Sequence, residues 1–236
     1  MSSGPLTGIH ACVFDAYGTL FDVASAANRC RDVLGDKIER FNLLWREKQL
    51  QYTWLRASQG RHADFWQVTQ DALDFTMESL GVTDPPLRER LMNLYLTLET
   101  FPEVPGTLER LKAAGLKIAI LSNGSPRMLG AAVEASNIGH LLDAVFSVEE
   151  VGVYKPHPAL YALPQRTLGC MATDVFHVAG SGIDAMGAKL AGLRCAWSNR
   201  GGEPAISPDT PPDYETRNLA DLLGVLPGAA TTPAPS

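Results

Sequence analysis

The chain has 236 residues, of which 45% are hydrophobic and 19% are charged. This length accommodates one large domain or a domain with an insertion, and the composition is ordinary for a globular protein. The net charge of −6 does not favour binding to nucleic acid or to an anionic membrane. The sequence shows no signal peptide and no apolar run near the ~20 residues of a membrane span. Its four cysteines are scattered without metal spacing, so we expect free thiols and a cytoplasmic location.

The first predicted element is a buried strand over residues 8–14, an apolar run that ends at a carboxylate. Asp15 follows this run, and a turn built around Gly18 comes next. In open α/β sheets, ligands bind at the carboxyl ends of the strands, so Asp15 is a candidate site residue. The alternative is that Asp15 only bonds the backbone of its own turn.

Residues 22–99 have a different pattern. Apolar residues such as Phe41, Leu44 and Leu55 recur at helical spacing, and glycines such as Gly60 separate the periodic stretches. This pattern predicts an insertion of four or five helices without a strand.

Beyond residue 100, apolar runs again alternate with helical patterns. Strands are predicted near residues 116–121, 144–148, 175–178 and 193–197, and a single helix is predicted over residues 159–168. The alternation implies an α/β fold, a doubly wound parallel sheet (Rossmann-like) that carries the insertion as a helical cap.

The same patterns divide the chain. We expect a core domain formed by residues 1–21 and 100–228, with residues 22–99 as the cap. The last residues, 229–236, are rich in proline, alanine and threonine and are expected to be disordered.

Polar residues stand at four predicted strand ends or loops, which a doubly wound sheet brings to one edge. They are Asp15 with Thr19, Ser122 with Asn123, Lys155, and Ser181 with Asp184. Taken alone, each has an ordinary explanation. Ser122 or Asn123 could cap a helix, Lys155 could be solvated, and Asp184 could be an acid that interacts with the dipole at a helix N-terminus. Their occurrence together favours a catalytic site.

This set resembles the motifs of the haloacid dehalogenase superfamily over roughly residues 8–200. Residues 15–19 match the first motif, Ser122-Asn123 the second, Lys155 the third, and Asp184 the last acid of the fourth. The superfamily is mostly phosphatases, so the branch has to be argued from further residues.

Two positions disfavour a phosphatase. A phosphatase carries a second aspartate two residues after the nucleophile to protonate the leaving alkoxide, and this chain has Tyr17 there, whose phenol is a poor acid at neutral pH. A phosphatase also binds Mg²⁺ through a carboxylate in the fourth motif, and the matching residue is Gly180. A halide ion leaves without protonation or metal, so we expect carbon–halogen cleavage with no metal and no cofactor.

The insertion agrees with this branch. Residues 44–56 closely resemble a helix of L-2-haloacid dehalogenases, as do Asp22-Val23, residues 63–65 and residues 121–126. The resemblance implies that Arg46 faces the site and binds the departing halide, whereas composition alone would make Arg46 a solvated helix residue.

The resemblance also implies the substrate contacts. Apolar walls would come from Tyr17, Leu50, Phe65 and Ile183, for which ordinary core packing is the alternative. The carboxylate of the substrate would be held by Ser122, Thr19 and turn amides, and Ala16 and Tyr161 complete the predicted substrate-binding set.

The fourth motif departs from the family. These dehalogenases usually have Ser-Ser-Asn where this chain has Ala179-Gly180-Ser181, and an aromatic residue where it has Ile183. The family residues help to place the lysine and the hydrolytic water, so weaker activity and an altered substrate range are both open.

The predicted activity is hydrolysis of short (S)-2-haloalkanoic acids to (R)-2-hydroxy acids. Asp15 attacks the halogen-bearing carbon to form an ester, Lys155 keeps Asp15 ionised, and Arg46 with Asn123 stabilises the halide. Asp184, assisted by Ser181, then directs water onto the ester. The rivals are a Mg²⁺-dependent phosphatase and a catalytically impaired binding homologue, and the resemblance also implies a homodimer.

Overall fold

The computed structural model describes residues 6–226. Its sheet contains six strands: β1 (Ala11–Phe14), β2 (Lys117–Ser122), β3 (Ala144–Ser147), β4 (Val175–Ala179), β5 (Arg194–Ser198) and β6 (Tyr214–Thr216). The strands lie in the order β3-β2-β1-β4-β5-β6, and every neighbouring pair is parallel. The predicted doubly wound parallel sheet is therefore confirmed. The predicted disordered tail at residues 229–236 lies outside the described residues.

Ten α-helices accompany the sheet in the described part of the chain. They are α1 (Ser25–Asn28), α2 (Arg31–Leu34), α3 (Ile38–Gln59), α4 (Phe65–Ser79), α5 (Pro85–Leu96), α6 (Val104–Ala113), α7 (Pro126–Ala135), α8 (Pro158–Tyr161), α9 (Leu163–Leu168) and α10 (Gly182–Leu190). Short 3₁₀ turns lie at Gly35–Lys37, Gly139–Leu141, Val148–Glu150, Ala172–Asp174 and Leu219–Gly224. Within residues 6–226, no helix combines the length and the apolar character needed to cross a lipid bilayer.

Strand β1 lies at the centre of the sheet, and all four of its residues are fully buried. Val13 pairs with Ala119 of β2 on one side and with His177 of β4 on the other. The chain moves outward through β2 and β3 on one side, and through β4, β5 and β6 on the other. The carboxyl end of β1 is thus the point where the strand order reverses, which is where open α/β sheets form a ligand crevice.

The helical segment leaves the sheet and returns to it at one place. The amide of Asp22 donates to the carbonyl of Glu99 at 2.8 Å, and the amide of Phe101 donates to that of Leu20 at 3.1 Å. Helices α1 to α5 lie between these two crossings, and no strand does. The sequence predicted such an insertion, and its treatment as a separate cap domain over residues 22–99 remains a prediction.

The structure differs from the sequence predictions in three elements. Strand β1 begins at Ala11 rather than at residue 8, and β6 was not predicted, because three residues in a Pro- and Asp-rich segment are too few to show a pattern. The single helix expected over residues 159–168 is two helices, α8 and α9. Pro164 explains the break. Its backbone nitrogen has no hydrogen to donate to the carbonyl four residues earlier, and its ring clashes with that carbonyl.

Candidate active site

Asp15 comes directly after β1 and extends the pairing of that strand, because its amide donates to the carbonyl of Val178 at 2.9 Å. The chain then turns at Gly18, whose φ of +92° lies in the region that glycine adopts without strain. The amides of Thr19, Leu20 and Phe21 all donate to the carbonyl of Ala16, at 2.9 to 3.2 Å. This turn presents the Asp15 carboxylate at the crevice with only 8% of the residue exposed.

Thr19 connects Asp15 to the neighbouring strand. Its hydroxyl donates to Oδ2 of Asp15 at 2.8 Å and accepts the amide of Gly180 at 2.7 Å. The Asp15 side chain thus bonds two side chains, those of Thr19 and Lys155. An aspartate that only bonds the backbone of its own turn would not make these contacts.

Lys155 is the lysine that contacts Asp15. Its Nζ donates to Oδ1 of Asp15 at 3.0 Å and to Oδ2 of Asp184 at 2.7 Å, and the residue is 5% exposed. Burial by itself lowers the pKa of Lys155, but the two carboxylates outweigh it, and the net shift of the pKa is upward. One buried ammonium therefore holds two buried carboxylates together.

Asp184 lies in the first turn of α10 and has two further donors. Tyr161 OH donates to Oδ1 at 2.8 Å, and His177 Nε2 lies 3.1 Å from the same oxygen. Burial raises the pKa of Asp184, while Lys155 and His177 lower it more strongly, so the pKa falls well below its usual range. Asp184 is consequently ionised at neutral pH.

Arg46 reaches the same place from α3. Its Nη2 donates to the carbonyl of Tyr17 at 2.7 Å, so the guanidinium lies against the loop that carries Asp15. Helix α3 is fixed to α4 by two hydrogen bonds to Thr69, one from Trp45 and one from Gln49. These buried polar contacts set the rotation of α3 that directs Arg46 inward.

A small cavity of about 30 Å³ lies between these groups. It is lined by Asp15, Arg46, Leu50, Trp54, Asn123, Lys155, Ser181, Ile183 and Asp184. Eight of these nine residues were predicted from the sequence. A larger groove of about 420 Å³ between α3 and α4 contains the Arg56–Asp71 ion pair, and it lies away from the strand ends where the carboxylates meet.

Other predicted substrate contacts lie beneath or beside this cavity. Phe65 and Tyr17 are buried, with ring centroids 5.7 Å apart, and Tyr17 stacks on Tyr95 at 5.6 Å. Ser122 accepts the amide of Gly124 within its own loop, and Ala16 is fully buried in the turn. Their contacts with a substrate stay predictions.

Tyr161 contacts Asp184, and its predicted contact with the substrate stays a prediction. The residue is fully buried, and its hydroxyl contacts the side chain and the backbone carbonyl of Asp184 rather than the cavity. Burial, followed by the nearby Asp184 charge, raises the pKa of Tyr161 strongly, so the phenol stays a hydrogen-bond donor. The structure thus places Tyr161 behind Asp184.

Sequence reasoning missed Trp54 and His177. Trp54 follows Arg46 and Leu50 at intervals of four residues, so the three share one face of α3, and this spacing could have predicted Trp54. His177 lies inside the apolar run of β4, where no spacing distinguishes a site histidine from a core histidine.

The residues around Asp15 suit a divalent cation poorly. Within residues 6–226, no group of three or more His, Cys, Asp or Glu side chains is arranged to hold a metal ion. A β-carbon on Gly180 would overlap the carbonyl oxygen of Gly18, so a carboxylate does not fit there unless the first-motif turn moves. Burial, with Tyr95 and Asp15 adding to it, raises the pKa of Tyr17, which makes its phenol a still weaker acid.

Comparison with known proteins agrees with this geometry. The sequence model of the haloacid dehalogenase-like hydrolases matches residues 9–192. The (S)-2-haloacid dehalogenase 4A of Burkholderia cepacia is 39% identical over 219 residues, which are 92% of this chain and 95% of that protein. This chain belongs to the (S)-2-haloacid dehalogenase family. The family predicted from the sequence is thereby confirmed.

Solved structures of dehalogenases superpose closely on this fold. A dehalogenase crystal structure with 39% identity has a TM-score of 0.91 and covers 93% of this chain and 98% of its own. The L-2-haloacid dehalogenase of Xanthobacter autotrophicus, solved with chloropropionic acid covalently bound, has 38% identity and a TM-score of 0.81, and covers 91% and 96%. The helical insertion is included in these alignments, since they span more than nine tenths of the chain.

Proposed function

We propose that this protein hydrolyses the carbon–halogen bond of short (S)-2-haloalkanoic acids and releases (R)-2-hydroxy acids through an ester on Asp15. The observation that carries the proposal is the position of the Lys155 ammonium between Asp15 and Asp184, with the guanidinium of Arg46 on the same small cavity. This arrangement offers an ionised nucleophile, a second carboxylate for water and a cationic place for an anion.

The first step is displacement at carbon. An oxygen of Asp15 forms a bond to C2 of the substrate, and the halogen leaves with the bonding electron pair as a halide ion. Lys155 donates to Asp15 and places a positive charge beside it, and Arg46 together with the amide of Asn123 stabilises the developing halide charge. Because the attack is in line with the departing halogen, the configuration at C2 inverts.

The second step is hydrolysis of the ester. Water attacks the carboxyl carbon of Asp15, and the bond from that carbon to the substrate-derived oxygen breaks. Asp184 accepts one proton from the water and passes it to the departing alkoxide, and Asp15 returns to its ionised form as the second proton goes to solvent. Ser181, which lies on the cavity beside Asp184, is proposed to help place this water.

The substrate is oriented by its two ends. We propose that the carboxylate is held by the Ser122 hydroxyl and by amides at the start of the turn after Asp15, while Leu50, Trp54 and Ile183 surround the alkyl group. The predicted donation from Thr19 to the substrate is not proposed, because its hydroxyl proton is already bonded to Asp15. Ile183 is smaller than the aromatic residue common in the family, which favours room for an alkyl substituent on C2.

The homodimer and the cytoplasmic location belong to the same proposal. The resemblance to L-2-haloacid dehalogenases supports the homodimer, and the four free cysteines support the cytoplasmic location. Light scattering coupled to size-exclusion chromatography tests the assembly, and a single protomer of 25.5 kDa in solution would contradict the homodimer.

The deciding experiment measures halide release from a panel of chlorinated, brominated and fluorinated C2–C4 acids, each as separate enantiomers, with and without EDTA. We expect release from the (S) acids, unchanged by EDTA, with chiral chromatography showing the (R) hydroxy acids. Asp15→Asn is the control, because it keeps the shape and removes the nucleophile. Phosphate release from small phosphate esters that requires Mg²⁺, with no halide release, would favour the phosphatase.

A further inference from the structure

The two oxygens of the Asp184 carboxylate have different partners. Oδ1 contacts both Tyr161 OH at 2.8 Å and His177 Nε2 at 3.1 Å, whereas among residues 6–226 Oδ2 has a hydrogen bond only with Lys155 Nζ, at 2.7 Å. A carboxylate oxygen accepts about two hydrogen bonds in its plane. Oδ1 is therefore filled, and the remaining acceptor position of Asp184 is on Oδ2, next to the ammonium that also contacts Asp15.

The hydrogen bonds around His177 locate its proton. The residue is fully buried, and Nδ1 has no hydrogen-bond partner among the described residues. Nε2 lies 3.1 Å from Oδ1 of Asp184, and a carboxylate oxygen only accepts hydrogen bonds, so Nε2 is the donor in this contact. The network thus assigns a proton to Nε2, which donates it to Asp184.

The ring of His177 is also held in one orientation. Tyr161 meets it edge-on, with centroids 5.6 Å apart and planes at 86°. Its neighbours across the sheet are Val13 of β1 and Cys195 of β5, which are both buried. The charged or titratable groups facing it are therefore Asp184, Tyr161 and Cys195, and Asp184 is the partner with hydrogen-bond geometry.

The fourth motif explains why this contact matters. Ala179, two residues after His177 on the same face of β4, has no side-chain donor, and Ser181 makes no side-chain capping bond to α10. The hydrogen bonds that orient Asp184 come instead from residues 161 and 177. A departure from the usual family motif is thus compensated at a position deeper in the same strand.

We propose that His177, with a proton on Nε2, is a positioning residue that holds Oδ1 of Asp184 together with Tyr161 and so turns Oδ2 toward the water that hydrolyses the Asp15 ester. This inference rests on the proposed function and concerns its second step. His177 itself does not touch the reacting atoms, and the balance of that step is unchanged: Asp184 still accepts and returns the proton.

The test separates the two steps in His177→Phe and His177→Gln. Rapid-quench single turnovers of an (S)-2-haloacid measure the halide burst and, by mass spectrometry of the Asp15 peptide, the ester. In His177→Phe we expect the burst to stay within about 2-fold of wild type, while ester hydrolysis slows about 10-fold to 100-fold from loss of a hydrogen bond to a charged group. His177→Gln, whose side-chain amide can donate from a similar place, should recover most of the hydrolysis rate.

One control variant and one spectroscopic measurement distinguish a specific role of His177 from a general structural effect. Phe176→Leu perturbs the same strand on its other face, where Phe176 packs against Tyr214 at 6.1 Å, and it should not accumulate ester. Nitrogen-15 NMR of labelled histidine should show that Nε2 of His177 carries a proton.

The outcomes are distinguishable. The role of His177 is overturned if His177→Phe hydrolyses the ester normally or slows both steps equally. It is also overturned if Phe176→Leu accumulates ester, if His177→Gln fails to recover the hydrolysis rate, or if Nε2 of His177 carries no proton. Absence of a halide burst in the wild-type protein overturns the proposed function, and the role of His177 falls with it.

Discussion

Nη2 of Arg46 lies 2.7 Å from the carbonyl oxygen of Tyr17, so a guanidinium from the long helix of the insertion is fixed on the loop that follows Asp15. The contact uses one side of the planar group. Arg46 also lines the small cavity, which places its positive charge where we propose that the halide leaves the substrate.

Arg46→Lys tests this relationship. A lysine keeps the charge but cannot bond the Tyr17 carbonyl and the halide at the same time with a planar fork, so we expect halide release to fall about 10-fold to 100-fold. Stopped-flow halide detection measures the step. Arg56→Lys is the matched control, because Arg56 lies on the same helix and pairs with Asp71 away from the cavity. Equal effects of the two substitutions would argue against a halide role.

Lys155→Met tests the coupling between Lys155 and the two carboxylates. Because the pKa of Asp184 is lowered in the folded protein, the stability that Lys155 provides is present above the unfolded carboxyl pKa of about 4 and is lost as the pH falls through the lower folded value. Because the pKa of Lys155 is raised, the same stability persists up to the unfolded lysine pKa of about 10.4 and is lost above it.

We therefore expect the difference in free energy of unfolding between wild type and Lys155→Met to be large at pH 7 and to shrink in acid. Urea unfolding at pH 3, 5, 7 and 9 measures it. Lys117→Met serves as the control, since Lys117 contacts the carbonyl of Leu168 at the other end of the sheet. A difference that is constant with pH would mean that the carboxylates do not depend on Lys155.

Thr19 gives a prediction about the loop itself. Thr19→Val removes the donor to Asp15 and leaves the buried amide of Gly180 without its acceptor, so we expect a loss of about 1–3 kcal/mol in the free energy of unfolding together with slower halide release. Thr19→Ser keeps the hydroxyl and should retain most of both. If Thr19→Val and Thr19→Ser unfold alike, the hydroxyl contributes nothing.

The parts of this fold that sequence reasoning predicted share a physical cause. Strand β1 is buried on both faces, so its residues form an unbroken apolar run, and a parallel sheet brings the polar residues after such runs to one edge. This is why Asp15, Asn123 and Asp184 could be placed together without a structure.

The parts that escaped prediction depend on the directions of side chains. His177 contacts Asp184, seven residues later, only because α10 starts beside the end of β4, and nothing in the run Val-Phe-His-Val-Ala shows this. The contact of Tyr161 with Asp184 was likewise not predicted. Direction of a side chain into or away from a cavity is set by helix rotation, which periodicity alone does not determine.

Gly180 gives a prediction about metal dependence. Since a β-carbon there would overlap Gly18, Gly180→Asp should disturb the turn after Asp15 and reduce halide release without creating Mg²⁺-dependent phosphatase activity. Wild-type turnover should survive EDTA. Parallel halide and phosphate assays with and without Mg²⁺ measure this, and activity that is lost on chelation and restored by Mg²⁺ would contradict it.

The sharpest prediction follows the path of oxygen. If Asp15 forms an ester that water cleaves at the Asp15 carboxyl carbon, one old oxygen of Asp15 leaves in the product and one solvent oxygen enters Asp15. A single turnover with excess enzyme in heavy-oxygen water should therefore give unlabelled hydroxy acid and an Asp15 peptide heavier by one heavy oxygen. The rival is direct attack of water on C2, activated by Asp15 or Asp184, which would label the hydroxy acid and leave the peptide unchanged.

Multiple turnovers provide the internal control, because an Asp15 labelled in the first cycle must deliver heavy oxygen to later products. Asp184→Asn should slow release of the ester more than its formation, so the Asp15 peptide should then carry the mass of the bound acid. Labelled product beside an unlabelled Asp15 peptide after one turnover would rule out the covalent route.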